Sequence, residues 1–222
     1  MLLQPTDSDR QGTSVRLSRG LLILALILAG ASVADDPDDS ELTLEVVTER
    51  LSKFAVLRGR YTQTRKIALL SRPLDSGGRF VLSDRGLQWQ QEEPFKSVLV
   101  ADGEQLLQQM ADGPVTRIDD ATQPMVVSIS RIFLDMFRGR HGDLEESFAV
   151  RFEPDNDAWE IGLTPTSYPL SEAIRQITLK GRIHIEQVSV ASGASDEMTI
   201  SFLDLQTRPE QLTEHEIELY AW

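Results

Sequence analysis

Cysteine is absent from all 222 residues, which removes disulfides, thiolate metal sites, iron–sulfur clusters and cysteine nucleophiles at a stroke. Histidine is nearly as scarce. His141, His184 and His215 stand far apart and are never paired at helical spacing, so zinc-type ligand sets find no support. Basic residues are outnumbered 22 to 35, for a net charge of −13 and a pI near 4.7. That balance disfavours any function built on neutralising phosphates and excludes nucleic acid as a partner. Repeats of 20–50 residues and low-complexity tracts are also missing. What is plentiful is apolar: 41% of the chain is hydrophobic, enough for a substantial core, and the mean hydropathy of −0.22 suits a soluble domain.

The longest apolar run, Leu21 to Ala29, follows Arg10, Arg16 and Arg19. Small residues at Ser32 and Ala34 then offer a cleavage site. A positive stretch, a short apolar stretch and a small-residue site predict a secretory signal peptide over residues 1–34. Leu21 to Ala34 falls short of the roughly 18–20 residues a spanning helix needs. The expected product is a periplasmic chain of 188 residues, 35–222, forming one domain with net charge −14. Asp35–Ser40 reads as a solvated acidic lead-in, since no glycine or closing glutamate completes a calcium loop.

From Glu41 to Arg58 the stripe Leu44, Val47, Leu51 and Phe54 predicts a helix, with Gly59 as its C-cap. The period then changes to two. Strands are expected at Arg60–Leu69, Arg79–Ser83, Leu87–Gln91, Ser97–Ala101, Gln105–Met110 and Val115–Ile118, separated by turns such as Asp102-Gly103 and Asp112-Gly-Pro114. A second helix is expected from Pro124 to Arg138, its face marked by Met125, Ile129, Ile132, Phe133 and Met136. Phe148, Val150 and Phe152 alternate into the turn Pro154-Asp-Asn-Asp157, and Trp159, Ile161 and Leu163 return from it. A short helix or turn at Leu170–Ile174 precedes strands at Ile174–Leu179, Ile183–Val190, Glu197–Leu205 and Glu214–Tyr220. The fold class is therefore α+β. About ten or eleven antiparallel strands make a strongly curved or barrel-like sheet, with helices in its mouth covering the concave face.

Catalytic patterns do not survive inspection. Asp75-Ser-Gly-Gly78 has a protease-like look, but Leu74 precedes it and no histidine lies upstream, so a turn is the better reading. No Gly-x-Ser-x-Gly elbow exists. Gly77-Gly78 precedes a strand and not a helix, so it is no phosphate loop. Glu214-His215-Glu216 is expected on a strand, where neighbours face opposite ways. No enzyme activity and no cofactor are expected, and no metal residues are assigned. What remains is apolar surface: Phe80, Leu82, Leu87, Trp89, Val98, Val100, Phe148, Phe152 and Trp159 on strands, and Met125, Ile129, Phe133 and Met136 on the second helix. These residues are ordinary core or the lining of a hollow that takes an acyl chain, with methionine as adaptable wall.

The ordered set Tyr61-Thr62-Gln63, Gly78-Arg-Phe-Val-Leu-Ser83, Leu87-Gln-Trp89, Pro94 and Leu99-Val-Ala-Asp-Gly103 resembles the LolA-like outer-membrane lipoprotein carriers, as a divergent member. The resemblance covers about residues 42–110 by motif and the rest by pattern. It implies an unclosed barrel with a helical lid over an apolar cavity. It also implies lipoprotein or lipid cargo, an inner-membrane transporter as donor, an outer-membrane acceptor, transient membrane contact and a monomer. The best-known carriers have a lid-holding arginine six residues before the tryptophan. Ser83 stands there in this chain and Arg85 two residues on, which makes Arg85 the candidate latch. The competing expectation is a periplasmic sensor or interaction module on the same scaffold, binding a peptide or protein partner without lipid transport.

Overall fold

A computed structural model describes residues 42–103, 105–118, 127, 130–131, 134–135, 142–168, 170–193 and 195–221, all within the unit Glu41–Trp222. The signal-peptide expectation for residues 1–34 and the acidic stretch 35–40 lie outside the described residues.

Helix α1 (Leu44–Ser52) begins where the Thr43 side chain accepts a hydrogen bond from the Val46 N–H. Glu45 in the first turn and Arg50 in the last complement the helix dipole. It is shorter than the sequence stripe suggests. Val56 and Leu57 leave the helical pattern to open β1 (Val56–Lys66), where Leu57 lies opposite Leu82. Gly59 is thus a residue inside a strand, not a helix cap. Ten strands follow: β2 (Leu74–Ser83), β3 (Gly86–Glu93), β4 (Ser97–Ala101), β5 (Leu106–Met110), β6 (Val115–Ile118), β7 (Phe148–Asp155), β8 (Ala158–Pro165), β9 (Ile174–Gly181), β10 (Ile185–Ser192) and β11 (Glu197–Gln206). Two short helices interrupt them, α2 (Gly142–Ser147) and α3 (Leu170–Ala173).

All strands join one antiparallel sheet in the order β6-β5-β4-β3-β2-β1-β11-β10-β9-β8-β7. Strands β6 and β7 are its two edges, so the sheet is large and not closed. The curvature can be read from ring positions. Trp89 on β3 and Phe202 on β11 are three strand steps apart, about 14 Å in a flat sheet. Their ring centroids lie 6.1 Å apart. The side chains converge, so this face is concave.

Val127, Ser130, Arg131, Leu134 and Asp135 are helical, in keeping with the expected second helix. Val127 and Leu134, one heptad apart, are buried in the same core as Val47 and Leu51 of α1. Helical residues from both places thus cover the concave face.

The C-terminal segment is a correction. Alternation predicts a strand at Glu214–Tyr220, yet the structure has helix α4 (Glu214–Glu218) followed by a 3₁₀ turn at Leu219–Ala221. Thr213 caps it: its side chain accepts from the Glu216 N–H while Glu216 accepts from the Thr213 N–H at 2.7 Å. The Arg58 guanidinium donates twice to Glu216, at 2.6 and 2.7 Å, and also to the Pro209 and Gln211 carbonyls. These bonds fix α4 against the outer face, where buried Gln88 donates its side-chain amide to the Glu216 carbonyl.

Candidate functional site

Register places the inward side chains in rows. One row runs Phe152, Ile161, Leu179, Val188, Ile200 across β7 to β11. The next runs Val150, Leu163, Ile177, Val190, Met198. This half of the concave face is aliphatic apart from Phe148, Phe152 and Trp159.

The other half is aromatic. Tyr61 on β1 stacks on Trp89 on β3 at 3.8 Å, and Phe80 on β2 meets Phe202 on β11 edge-on at 5.0 Å. Gly59 makes the second contact possible. A Cβ there would lie 2.8 Å from the Phe80 Cε1, 2.8 Å from the Leu203 carbonyl oxygen and 2.9 Å from the Leu205 Cδ2. Without a side chain at 59, the Phe80 ring can lie across β1.

Polar atoms on this face are few. The Tyr61 hydroxyl is buried without a hydrogen-bond partner. Burial pushes its pKa up, and the Trp89 indole N–H works against that without reaching hydrogen-bond geometry. At the end of the sheet where α1 stops, Leu51, Phe54, Leu57, Leu82, Ser83 and His184 border a cleft of about 340 Å³. The His184 ring packs on Phe54 at 4.3 Å, its Nδ1 has no partner, and burial lowers its pKa. Among the described residues no group of acids and histidines could hold a metal.

The sequence-predicted residues divide. Phe80, Leu82, Leu87, Phe148 and Trp159 are fully within the inner core, and Trp89 and Phe152 are partly buried against it. Val98 and Val100 are not with them. They point outward and pack with Leu107, Leu219 and Tyr220, because β4 alternates and gives Leu99 and Ala101 to the inside. Arg85 also serves the outer face: its guanidinium lies 4.8 Å from the centre of the Tyr220 ring. Met125, Ile129, Phe133 and Met136 lie outside the described residues.

Several inner residues escaped the sequence selection. Tyr61 and Phe202 complete the aromatic cluster, and Val190 and Met198 are partly exposed members of the second row. Period-two alternation in β10 and β11 marks Val188, Val190, Met198, Ile200 and Phe202 as one face, so the signal was present.

Among the described residues this face offers apolar contact and one buried hydroxyl in an aromatic wall. The family model described as outer membrane lipoprotein carrier protein LolA matches residues 52–214. Among solved structures, a DUF1329 family protein from Desulfovibrio piger aligns with TM-score 0.46 and 8% identity, over 80% of this chain and 95% of its own. A LolA superfamily protein from Nitrosomonas europaea gives 0.43 and 9%, over 79% and 97%. An outer membrane lipoprotein-sorting protein domain from Vibrio parahaemolyticus, described as putative in its own structure, gives 0.45 and 8%, over 80% and 96%. Comparison with curated proteins finds no match.

Proposed function

The chain belongs to the LolA family of outer membrane lipoprotein carriers, and from that premise we propose that it is an exported, non-enzymatic carrier of acylated cargo. The observation that supports this best is the concave face itself, continuous across the sheet and apolar from Phe152 to Trp89. Acyl chains would lie along the partly exposed inner residues, with Trp89, Val150, Phe152, Val190 and Met198 as contacts. Each stretch of apolar area removed from water contributes about 25 cal/mol per Å². Part of that is offset by closing the empty face against itself, so the net affinity stays compatible with release.

In this reading residues 1–34 direct export and are removed, and residues 35–222 act in the periplasm as a monomer. Cargo, a lipoprotein or a related lipid, arrives from an inner-membrane transporter and leaves to an outer-membrane acceptor. The test is to purify the exported protein and identify co-purifying lipids by mass spectrometry, then titrate it with a fluorescent acyl probe. Saturable binding that alters Trp89 emission is the expected result. Absence of both lipid and probe binding would overturn the carrier reading and leave a protein- or peptide-binding module.

A further inference from the structure

Ten large apolar side chains are exposed among the described residues, and seven of them are at one end of the sheet. The ladder fixes which end. Strand β1 runs from Val56 towards Lys66, so the β1–β2 connection emerges beside Arg65, which lies in the same row as Met198, Val190, Ile177 and Leu163. The β3–β4 and β5–β6 turns and the segment after β8 emerge at that end too. Leu69 is 94% exposed and Leu70 and Leu74 about half so on the first connection. Phe95 tops the second, Met110 and Val115 flank the third, and Tyr168 follows β8. At the opposite end Ile183 is the one such residue described.

These are not loose tips. The Leu70 N–H donates to the Ile67 carbonyl at 2.9 Å, and the Ala68 N–H to the Asp196 carboxylate at 2.9 Å, which holds Leu69 outward. The Gln91 side-chain amide likewise donates to the Phe95 carbonyl. A single exposed leucine is ordinary, but several large apolar side chains gathered at one end of a sheet mark an interaction surface.

The charge pattern indicates what. Residues 65–74 hold Arg65, Lys66 and Arg72 and no acid, whereas the other turns at this end carry Glu92, Glu93, Asp112, Asp196 and Glu197, so net positive charge is confined to the connection that bears Leu69 and Leu70. The Lys66 ammonium meets Glu197 at 3.5 Å, while the Arg65 and Arg72 side chains are exposed. We propose that the β1–β2 connection docks this end of the sheet on an anionic phospholipid bilayer, with Leu69 and Leu70 entering the interface and Arg65, Lys66 and Arg72 meeting the phosphates. Apolar tips spread over separate turns match a plane better than they match a groove on a protein. Tyr168 and Lys96, with an apolar body and a polar end, suit the same depth. No helix among the described residues is long and apolar enough to cross a membrane, so this contact is peripheral. The large acidic remainder of the chain favours detachment once the tips withdraw.

Co-sedimentation of the exported protein with phosphatidylglycerol-containing vesicles tests this, with phosphatidylcholine vesicles in parallel. The wild type is expected to bind, more tightly to the anionic vesicles. Leu69→Ser should weaken partitioning about tenfold on both, and Leu69→Phe should retain it. Arg72→Gln should weaken binding several-fold on the anionic vesicles alone. Leu69 is almost fully exposed, so these variants fold, and the acyl probe reports the cavity separately. Wild-type protein that ignores vesicles, or a Leu69→Ser variant that binds like wild type, overturns the proposal. So does a chain that ignores vesicles while Leu69→Ser weakens its hold on a protein acceptor. Probe binding without vesicle binding would leave the carrier standing and remove the rim. Vesicle binding without probe binding would do the reverse.

Discussion

Trp89 stacks on Tyr61 across the full width of β2, ring centroids 3.8 Å apart, although their strands do not touch. The contact joins β1 and β3 over the concave face and leaves the Tyr61 hydroxyl with no partner. A buried hydroxyl without a hydrogen bond costs about 1–3 kcal/mol, so Tyr61→Phe should raise stability by about 1 kcal/mol in urea unfolding. A loss of stability would show that the hydroxyl is bonded.

Gly59→Ala should lower stability by about 1–3 kcal/mol, because the new methyl meets the Phe80 ring and the Leu203 carbonyl at 2.8 Å. Adding Phe80→Leu relieves one of the three close contacts, the others being the Leu203 carbonyl and the Leu205 Cδ2. The double variant should therefore lose less than the sum of the single losses, measured as a thermodynamic cycle by chemical unfolding.

Acid should weaken the fold through two groups, one starting below pH 6.5 and the other below pH 4.5. His184 has a pKa lowered first by burial, with Glu186 pulling the other way. Above pH 6.5 the ring is neutral folded or unfolded. Below it the unfolded chain takes up a proton that the folded ring refuses, so stability falls until the folded pKa is reached. Glu216 has a pKa lowered first by the hydrogen bonds from Arg58, against desolvation. Its contribution is complete above pH 4.5 and is lost as pH falls through the folded value. The urea midpoint against pH should show both declines. His184→Phe should abolish the upper one, and Arg58→Ala the lower. Arg58→Ala should also cost about 3 kcal/mol at neutral pH, since it strands a largely buried carboxylate.

Cargo binding and packing should separate along the two inner rows. Phe152→Asp and Met198→Asp, at partly exposed positions, are expected to reduce acyl-probe affinity by more than tenfold. Leu163→Ala, at a position with no exposure, should cost about 2–5 kcal/mol of stability while folded protein keeps its probe affinity. Equal losses of both properties at Phe152 would make that face plain core.

The strands were legible because period-two alternation and Asp-Gly turns are local signals, and the eleven observed strands follow them closely. Three features were not, the first being Asp75-Ser-Gly-Gly78, which reads as a turn but pairs with Tyr61–Thr64 of β1 inside β2. The α1 stripe runs on through Phe54, and only the pairing of Leu57 with Leu82 stops the helix short. Ile217 and Leu219 alternate like a strand, but the Thr213–Glu216 capping box and the reach of Arg58 over 158 residues of chain make α4. The box was written in the sequence; the arginine's arrival was not. The same holds for the site. Trp89, Phe80 and Phe152 could be chosen by apolarity and alternation, while Val98 and Val100 needed the β4 register to be placed outside. That Tyr61, Trp89, Phe80 and Phe202 would meet depends on how far the sheet curls, and no window of sequence contains that.

The sheet order has a consequence in time. Strands β1 and β11, the first and last of the sheet, are hydrogen-bonded neighbours at its middle. A chain emerging N-terminus first can zip β1 to β6 and later β7 to β11 by short turns. The seam between these halves must wait for residues 197–206. Until then one flank of each half is an unpaired edge, open to stray strand addition. Suture of β1 to β11 is therefore the slow, long-range step, and the interval before it is when the nascent protein most needs a guardian.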